Sequence, residues 1–120
     1  MGNIARATTL NVIGDVEGKI ALIFDDDIDT AGSLKSVISA LMKRKVKEIY
    51  ASCTHPIFSR PAYRQLASSP LKEVVITDTV PIKPGKRLDK IIVLSIAPLL
   101  GEAIYRIHNR LSVGALFQIV

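Results

Sequence analysis

Apolar and polar positions along this chain switch repeatedly between a strand rhythm and a helix rhythm. Ile20–Phe24 is a continuous apolar run of strand length. After it, Leu34, Val37, Ile38, Leu41 and Met42 recur at the i, i+3, i+4, i+7, i+8 spacing of one helix face. The spacing predicts a helix from about Gly32 to Arg44, with Lys35, Ser36, Ser39 and Lys43 on its polar side. Lys43, Arg44 and Lys45 suit the negative end of its dipole. Glu48–Thr54 reads as a second strand. Ser59 as a cap and Pro61 in the first turn open a short helix that ends near Ser68-Ser69-Pro70. Glu73–Thr77 is a third strand, with Val74-Val75-Ile76 expected to be buried on both faces, and Ile91–Ser95 a fourth. Pro98 starts a helix to about Asn109 whose stripe is Leu99, Leu100, Ala103, Ile104 and Ile107, with Arg106, His108 and Arg110 at its carboxyl end.

Two connections punctuate this order. Leu10–Ile13 and the turn Gly14-Asp15-Val16-Glu17-Gly18 read as a hairpin-like lead-in to the first strand, and residues 1–8 are expected to fray. Pro81, Pro84 and Gly85 mark a loop that carries Lys83, Lys86 and Arg87. Because strands and helices alternate, the expected class is α/β, with a mainly parallel sheet of about four strands and right-handed crossovers. Such a sheet is small for a doubly wound fold, so it is expected to be part of a larger one.

Composition sharpens this picture. At 120 residues the chain is expected to be one domain. Its hydrophobic share is 48% and its mean hydropathy +0.31, which implies buried parallel strands plus surface that wants a partner. Sixteen Lys and Arg against 11 Asp and Glu leave a charge of +5. That balance reads either as a solvated basic surface or as attraction for small anions such as phosphates. Nucleic acid is not expected: aromatics are 5%, Trp is absent, and no run of five basic residues makes a stripe. The lone Cys53 excludes an internal disulfide and a multi-cysteine metal site, fits a reducing cytoplasm, and reads as a small core hydrophobe. No apolar run approaches the ~20 residues of a membrane span, and no signal-peptide pattern opens the chain.

Candidate chemistry concentrates where the first strand ends. Asp25, Asp26, Asp27 and Asp29 fall within five residues. Two carboxylates about 4 Å apart repel by about 4 kcal/mol at an effective dielectric near 20, a cost relieved by solvent or a cation. Asp25 and Asp26 are adjacent in a strand, so one is expected to face a ligand while the other holds the loop. Thr30 and Ser33 add hydroxyls, Ala31 and Gly32 allow close backbone approach, and free N–H groups at the helix start make an anion site. Open α/β sheets bind ligands beyond the carboxyl ends of their strands, which is where these residues fall. Two other phosphate chemistries fail on spelling. There is no Gly-x-x-x-x-Gly-Lys-Ser/Thr run, and neither Asp25 nor Asp27 starts an Asp-x-Asp-x-Thr/Val motif of the haloacid-dehalogenase type.

Ile20-Ala21-Leu22-Ile23-Phe24-Asp25-Asp26-Asp27-Ile28-Asp29-Thr30-Ala31-Gly32-Ser33 resembles the sugar-phosphate loop of type I phosphoribosyltransferase folds, and more closely that of ribose-phosphate pyrophosphokinases (phosphoribosyl pyrophosphate synthetases). Asn11–Lys19, Thr54-His55-Pro56-Ile57-Phe58-Ser59, Val75–Pro81, Leu94–Leu100, Ser112-Val113 and Leu116-Phe117 are similar to that family's segments in the same order, over roughly residues 9–118. The resemblance implies a partial phosphoribosyltransferase-type three-layer fold. It also implies the C-terminal, ribose 5-phosphate-binding part of an enzyme that makes phosphoribosyl pyrophosphate and AMP from ATP and ribose 5-phosphate with Mg²⁺. Asp29, Thr30, Ala31, Gly32 and Ser33 are implied to cradle the 5-phosphate. Asp25 and Asp26 are implied to hold the ribose hydroxyls, directly or through the metal. No catalytic residue is implied within the chain, because the ATP pocket, a metal-binding His, the pyrophosphate loop and a mobile loop with Lys and Arg would lie in an upstream half; Arg6 does not restore that loop. Asp27 stands where the family usually has an apolar residue, and Gly114 where its tail has a serine.

These implications leave three expectations open: a segment of the synthetase, a non-catalytic or regulatory partner of a full-length one, and a stand-alone sugar-phosphate-binding module. Homo-oligomerisation is expected with any of them. Of the remaining residues, His55 reads as a hydrogen-bonding turn residue, and Tyr50, Phe58 and Tyr63 as core or interface. Arg60, Lys83, Lys86 and Arg87 read as solvated surface charge.

Overall fold

β1 (Ile20–Asp27), α1 (Gly32–Lys43), β2 (Glu48–His55), α2 (Arg60–Ser68), β3 (Val74–Thr77), β4 (Ile91–Leu94), α3 (Ala97–His108) and a 3₁₀ turn (Gly114–Phe117) succeed one another in a computed structural model that describes residues 11–118. The strands form one parallel sheet in the order β1-β2-β3-β4, the α/β arrangement expected from the alternating pattern. Successive parallel strands laid side by side in chain order put their crossover helices on the same face. α1 and α2 accordingly pack on one face of the sheet and share one core. Leu34, Ile38 and Leu41 come from α1, and Ala62, Tyr63 and Leu66 from α2. Ile49, Ala51, Cys53, Val74, Ile76 and Ile91 come from the strands beneath them.

The period of two along the strands then fixes the other face. Ile20, Leu22 and Phe24 alternate with the half-buried Ala21 and Ile23, and they are 55%, 63% and 76% exposed. Ile92 and Leu94 are exposed as well, and Val75, expected to be buried on both sides, is half-buried. Two of the three expected layers are thus present among the described residues. α3 does not supply the third. It buries none of its residues, and Leu99, Leu100, Ile104 and Ile107 of its apolar stripe are all exposed. The radius of gyration, 17.6 Å, exceeds the roughly 13–14 Å of a compact chain this long.

Local chemistry explains the connections. No strand precedes β1 among the described residues, so the expected hairpin is absent; Leu10 lies outside them, as do residues 1–8 and Arg6. The 14–18 turn is instead tied sideways. Gly18 N–H donates to Lys45 O at 2.9 Å, and Lys47 N–H donates to Lys19 O at 2.8 Å. The Arg44 guanidinium donates to Gly14 O at 2.9 Å, so this residue clamps the turn as well as ending α1. α2 has no basic residue in its last turn, but Lys90 Nζ reaches across to donate to Leu66 O at 3.0 Å and Ser69 O at 2.9 Å. It thereby satisfies carbonyls that the helix end leaves free.

Candidate functional site

β1 outlasts its apolar run because parallel pairing with β2 continues to Asp27 opposite His55. The acidic residues are therefore carried out on a strand end, and the chain must turn sharply to enter α1. Ile28 pins that turn: it is buried, its N–H donates to His55 O at 3.2 Å, and its carbonyl accepts from Phe58 N–H at 3.0 Å. Ser59 N–H donates to Asp29 O at 3.0 Å, and the Ser59 hydroxyl donates to the Asp29 carboxylate. The hydroxyl expected to cap α2 is thus diverted to the loop after β1; Ser59 is the N-cap residue but makes no side-chain cap bond.

Ala31 then takes a left-handed conformation, φ 64°, ψ 16°, immediately before α1. Sequence reasoning assigned close approach to Ala31 and Gly32 together, but the left-handed position is the alanine. A left-handed residue beside a helix start turns successive N–H groups toward one point, a concavity that favours anions. Among the described residues the amides of Thr30, Ala31, Ser33 and Leu34 donate to no protein acceptor, and that of Gly32 makes only a 3.3 Å contact with Thr30 Oγ1. These amides border a cup of about 150 Å³ lined by residues 27–34 together with Asp25.

All five residues predicted to cradle a phosphate, Asp29, Thr30, Ala31, Gly32 and Ser33, line the cup, as does Asp25. Asp26 does not line it. Asp27, two residues from Asp25 and so on the same side of the strand, does. Carboxylate oxygens of Asp25, Asp26 and Asp27 nonetheless lie within 4.8 Å of one another, and all three residues are exposed. Hydrogen bonding from the Asp25 side chain, and then from backbone amides, holds the Asp26 carboxyl below the ordinary aspartate value. Three hard oxygen donors with open solvent sides fit an oxygen-liganded cation such as Mg²⁺, which keeps waters and substrate oxygens in its remaining positions.

Around the cup, His55 Nδ1 lies 2.9 Å from Thr79 Oγ1, so the expected hydrogen bond forms, but from the last residue of β2 and not from a turn, because pairing with Asp27 extends the strand. Thr79 Oγ1 also lies 2.9 Å from Thr54 O, which accepts from Thr77 Oγ1 at 2.6 Å. Sequence reasoning missed Ile28, Leu34 and Ser59 as parts of the site. The i, i+2 relation of Asp25 and Asp27 was the available signal for Asp27; nothing local signals Ser59, which reaches the loop from the next crossover.

The fold and cup define a parallel α/β protein with a turn of unpaired amides at the carboxyl end of its first strand. The chain belongs to the phosphoribosyl synthetase-associated domain family, whose profile matches residues 3–118. It is 53% identical over 111 residues to the ribose-phosphate pyrophosphokinase of Caldanaerobacter subterraneus subsp. tengcongensis, covering 92% of this chain and 35% of that protein. It is 52% identical over 109 residues to that of Clostridium acetobutylicum, covering 91% and 34%. The crystal structure of phosphoribosylpyrophosphate synthetase from Mycobacterium smegmatis superposes with a TM-score of 0.78 at 38% identity, over 82% of this chain and 33% of that one. The chain therefore spans about a third of the length of the relatives it matches. The family is the one the loop resembles, and the matching fold is α/β.

Proposed function

We propose that this chain is the C-terminal, ribose 5-phosphate-binding segment of a ribose-phosphate pyrophosphokinase, serving nucleotide synthesis. The observation that carries the reading is the set of free amides around left-handed Ala31, directly beyond a strand that ends in carboxylates. In this reading the Thr30, Ala31, Ser33 and Leu34 amides and the Thr30 and Ser33 hydroxyls hold the 5-phosphate. Asp25 accepts from the ribose hydroxyls, with Asp26 and Asp27 beside it. Holding the sugar at both ends fixes its anomeric oxygen, and phosphoryl-type transfer depends mainly on such positioning and on charge stabilisation. Asp25 and Asp26 would hold Mg²⁺, with Asp27 within reach; the metal supplies charge neutralisation for the transferred group. ATP would be bound by the remainder of the enzyme, so the chain alone binds the sugar phosphate without completing the reaction.

A second reading, association with a full-length synthetase or with itself, is favoured by the open sheet face. Ile20, Leu22, Phe24 and Leu94, together with the exposed stripe of α3, form apolar surface of a kind that single soluble chains rarely leave uncovered. One experiment tests the main reading. Titration of the pure chain with ribose 5-phosphate is expected to shift the amide resonances of residues 29–34, with no AMP released when ATP and Mg²⁺ are added. Saturation without any change at residues 29–34 would overturn the site assignment, and AMP release would overturn the claim that a separate part binds ATP.

A further inference from the structure

The cations of α2 and of the β3–β4 loop, each ordinary surface charge when read along the sequence, are gathered by the fold around one groove of about 770 Å³. Arg60 and Arg64 are four residues apart on α2, with Tyr63 between them, and all three line this groove. Facing them is Lys83-Pro84-Gly85-Lys86. The Lys86 N–H donates to Lys83 O at 3.1 Å, Pro84 sits second, and Gly85 has a φ of 72°. These are the requirements of a type II turn, which holds its first and fourth residues within about 7 Å of each other. The turn therefore presents Lys83 and Lys86 as a pair, opposite the arginine pair.

Among the described residues no ion pair balances these four charges. No acidic residue lines the groove, and the ion pairs found among the described residues, Lys45–Glu17 and Arg106–Glu102, involve none of the four. Like charges four apart on a helix, as Arg60 and Arg64 are, destabilise it. A bound anion relieves this repulsion. The volume lies in the range of small-molecule sites, and four cations match a multiply charged anion better than a single carboxylate.

We propose that this groove is a second anion site, sharing no lining residue with the cup after β1, and that its ligand is a multiply charged phosphate compound of small-molecule size. The proposal does not rest on the sugar-phosphate reading of the cup. Its test is a titration of the full chain with tripolyphosphate, followed by calorimetry and by amide shifts. Saturable binding with shifts at residues 60–65 and 83–86 is expected. The double variant Lys83→Gln/Lys86→Gln should weaken it by about tenfold or more. Lys83→Arg/Lys86→Arg should retain it, and Gly32→Val, which obstructs the cup, should leave it unchanged. Equal affinity in the glutamine variant, absence of saturable binding at millimolar tripolyphosphate, or shifts confined to residues 29–34 would each overturn the proposal.

Discussion

Substituting Gly32 by valine tests the cup with little risk to the fold. A Cβ at Gly32 would stand 3.4 Å from Thr30 Oγ1, a tight but tolerable contact, and the backbone there is not in the left-handed region. Alanine therefore fits, whereas the two γ-carbons of valine must turn the Thr30 hydroxyl and crowd the amides of residues 30–34. Gly32 is the first residue of α1, where valine has the higher helix propensity by about 0.3–0.5 kcal/mol, so folding stability should stay within about 0.5 kcal/mol of the wild type. Each hydrogen bond from an amide to a charged phosphate is worth about 1.5–3 kcal/mol. Losing one therefore weakens ribose 5-phosphate binding by about ten- to a hundredfold. Calorimetric titration of wild type, Gly32→Ala and Gly32→Val, each with its melting temperature, reads both quantities. The alanine variant should bind within about threefold of the wild type. An unchanged dissociation constant in a folded Gly32→Val chain would refute the claim that these amides grip the phosphate.

The remaining predictions concern association, pH and the thiol. Leu22→Ser/Phe24→Ser should abolish concentration-dependent self-association in sedimentation while lowering the melting temperature by less than about 4 °C, since both side chains are largely exposed; a wild type that sediments as one chain at high concentration would sink the association reading. Hydrogen bonds from Ser95 and then the Ile96 amide, 2.9 Å away, hold the Asp78 carboxyl below the ordinary aspartate value of 3.8. That stabilisation is present above 3.8 and is lost as pH falls through the lower folded value. Asp78→Asn should therefore melt below the wild type at neutral pH, with the gap closing as pH falls below 3.8 and through the lower folded value; a gap independent of pH would refute it. Burial pushes the Cys53 thiol up to about 11, so iodoacetamide at about pH 8 should label it only in denaturant, and rapid labelling of the native chain would contradict its place in the core.

How far the sequence could be read depended on which interactions were local. α1 was predicted over Gly32–Arg44 and forms over Gly32–Lys43, and the four strands stand within three residues of their predicted bounds, because the periods of 3.6 and 2 are imposed by one contiguous face each. β1 runs three residues past its apolar part because pairing with β2, a non-local bond, carries it to Asp27. The helical stripe of α3 was legible, yet its partner was not: a stripe announces that a surface wants cover without saying what covers it. The residues that line the cup were legible because they are contiguous in the chain. Ser59 was not, because its hydroxyl answers Asp29 from 30 residues away instead of capping its own helix. The paired lysines at 83 and 86 looked like solvation until the Pro84-Gly85 turn set them against α2.

The shape of the cup follows from the one covered face of the sheet. Two non-glycine residues near it hold positive φ, Ala31 at 64° and Phe58 at 45°, conformations that cost about 1–3 kcal/mol each. Neither is free to relax. Phe58 is 1% exposed and meets Tyr63 edge-on with ring centroids 5.5 Å apart, and Ala31 is 6% exposed within the same core. Burying an aromatic side chain returns about 1.5–3 kcal/mol, enough to offset the strain at Phe58. The two loops are also bonded to each other, Phe58 N–H to Ile28 O and Ser59 N–H to Asp29 O, so displacing either strained residue breaks bonds of both. The turn that presents the amides is thus fixed by the core beneath α1 and α2 before any ligand arrives. It follows that covering the open opposite face, by a second copy or by the rest of a synthetase, can add stability without reshaping the site.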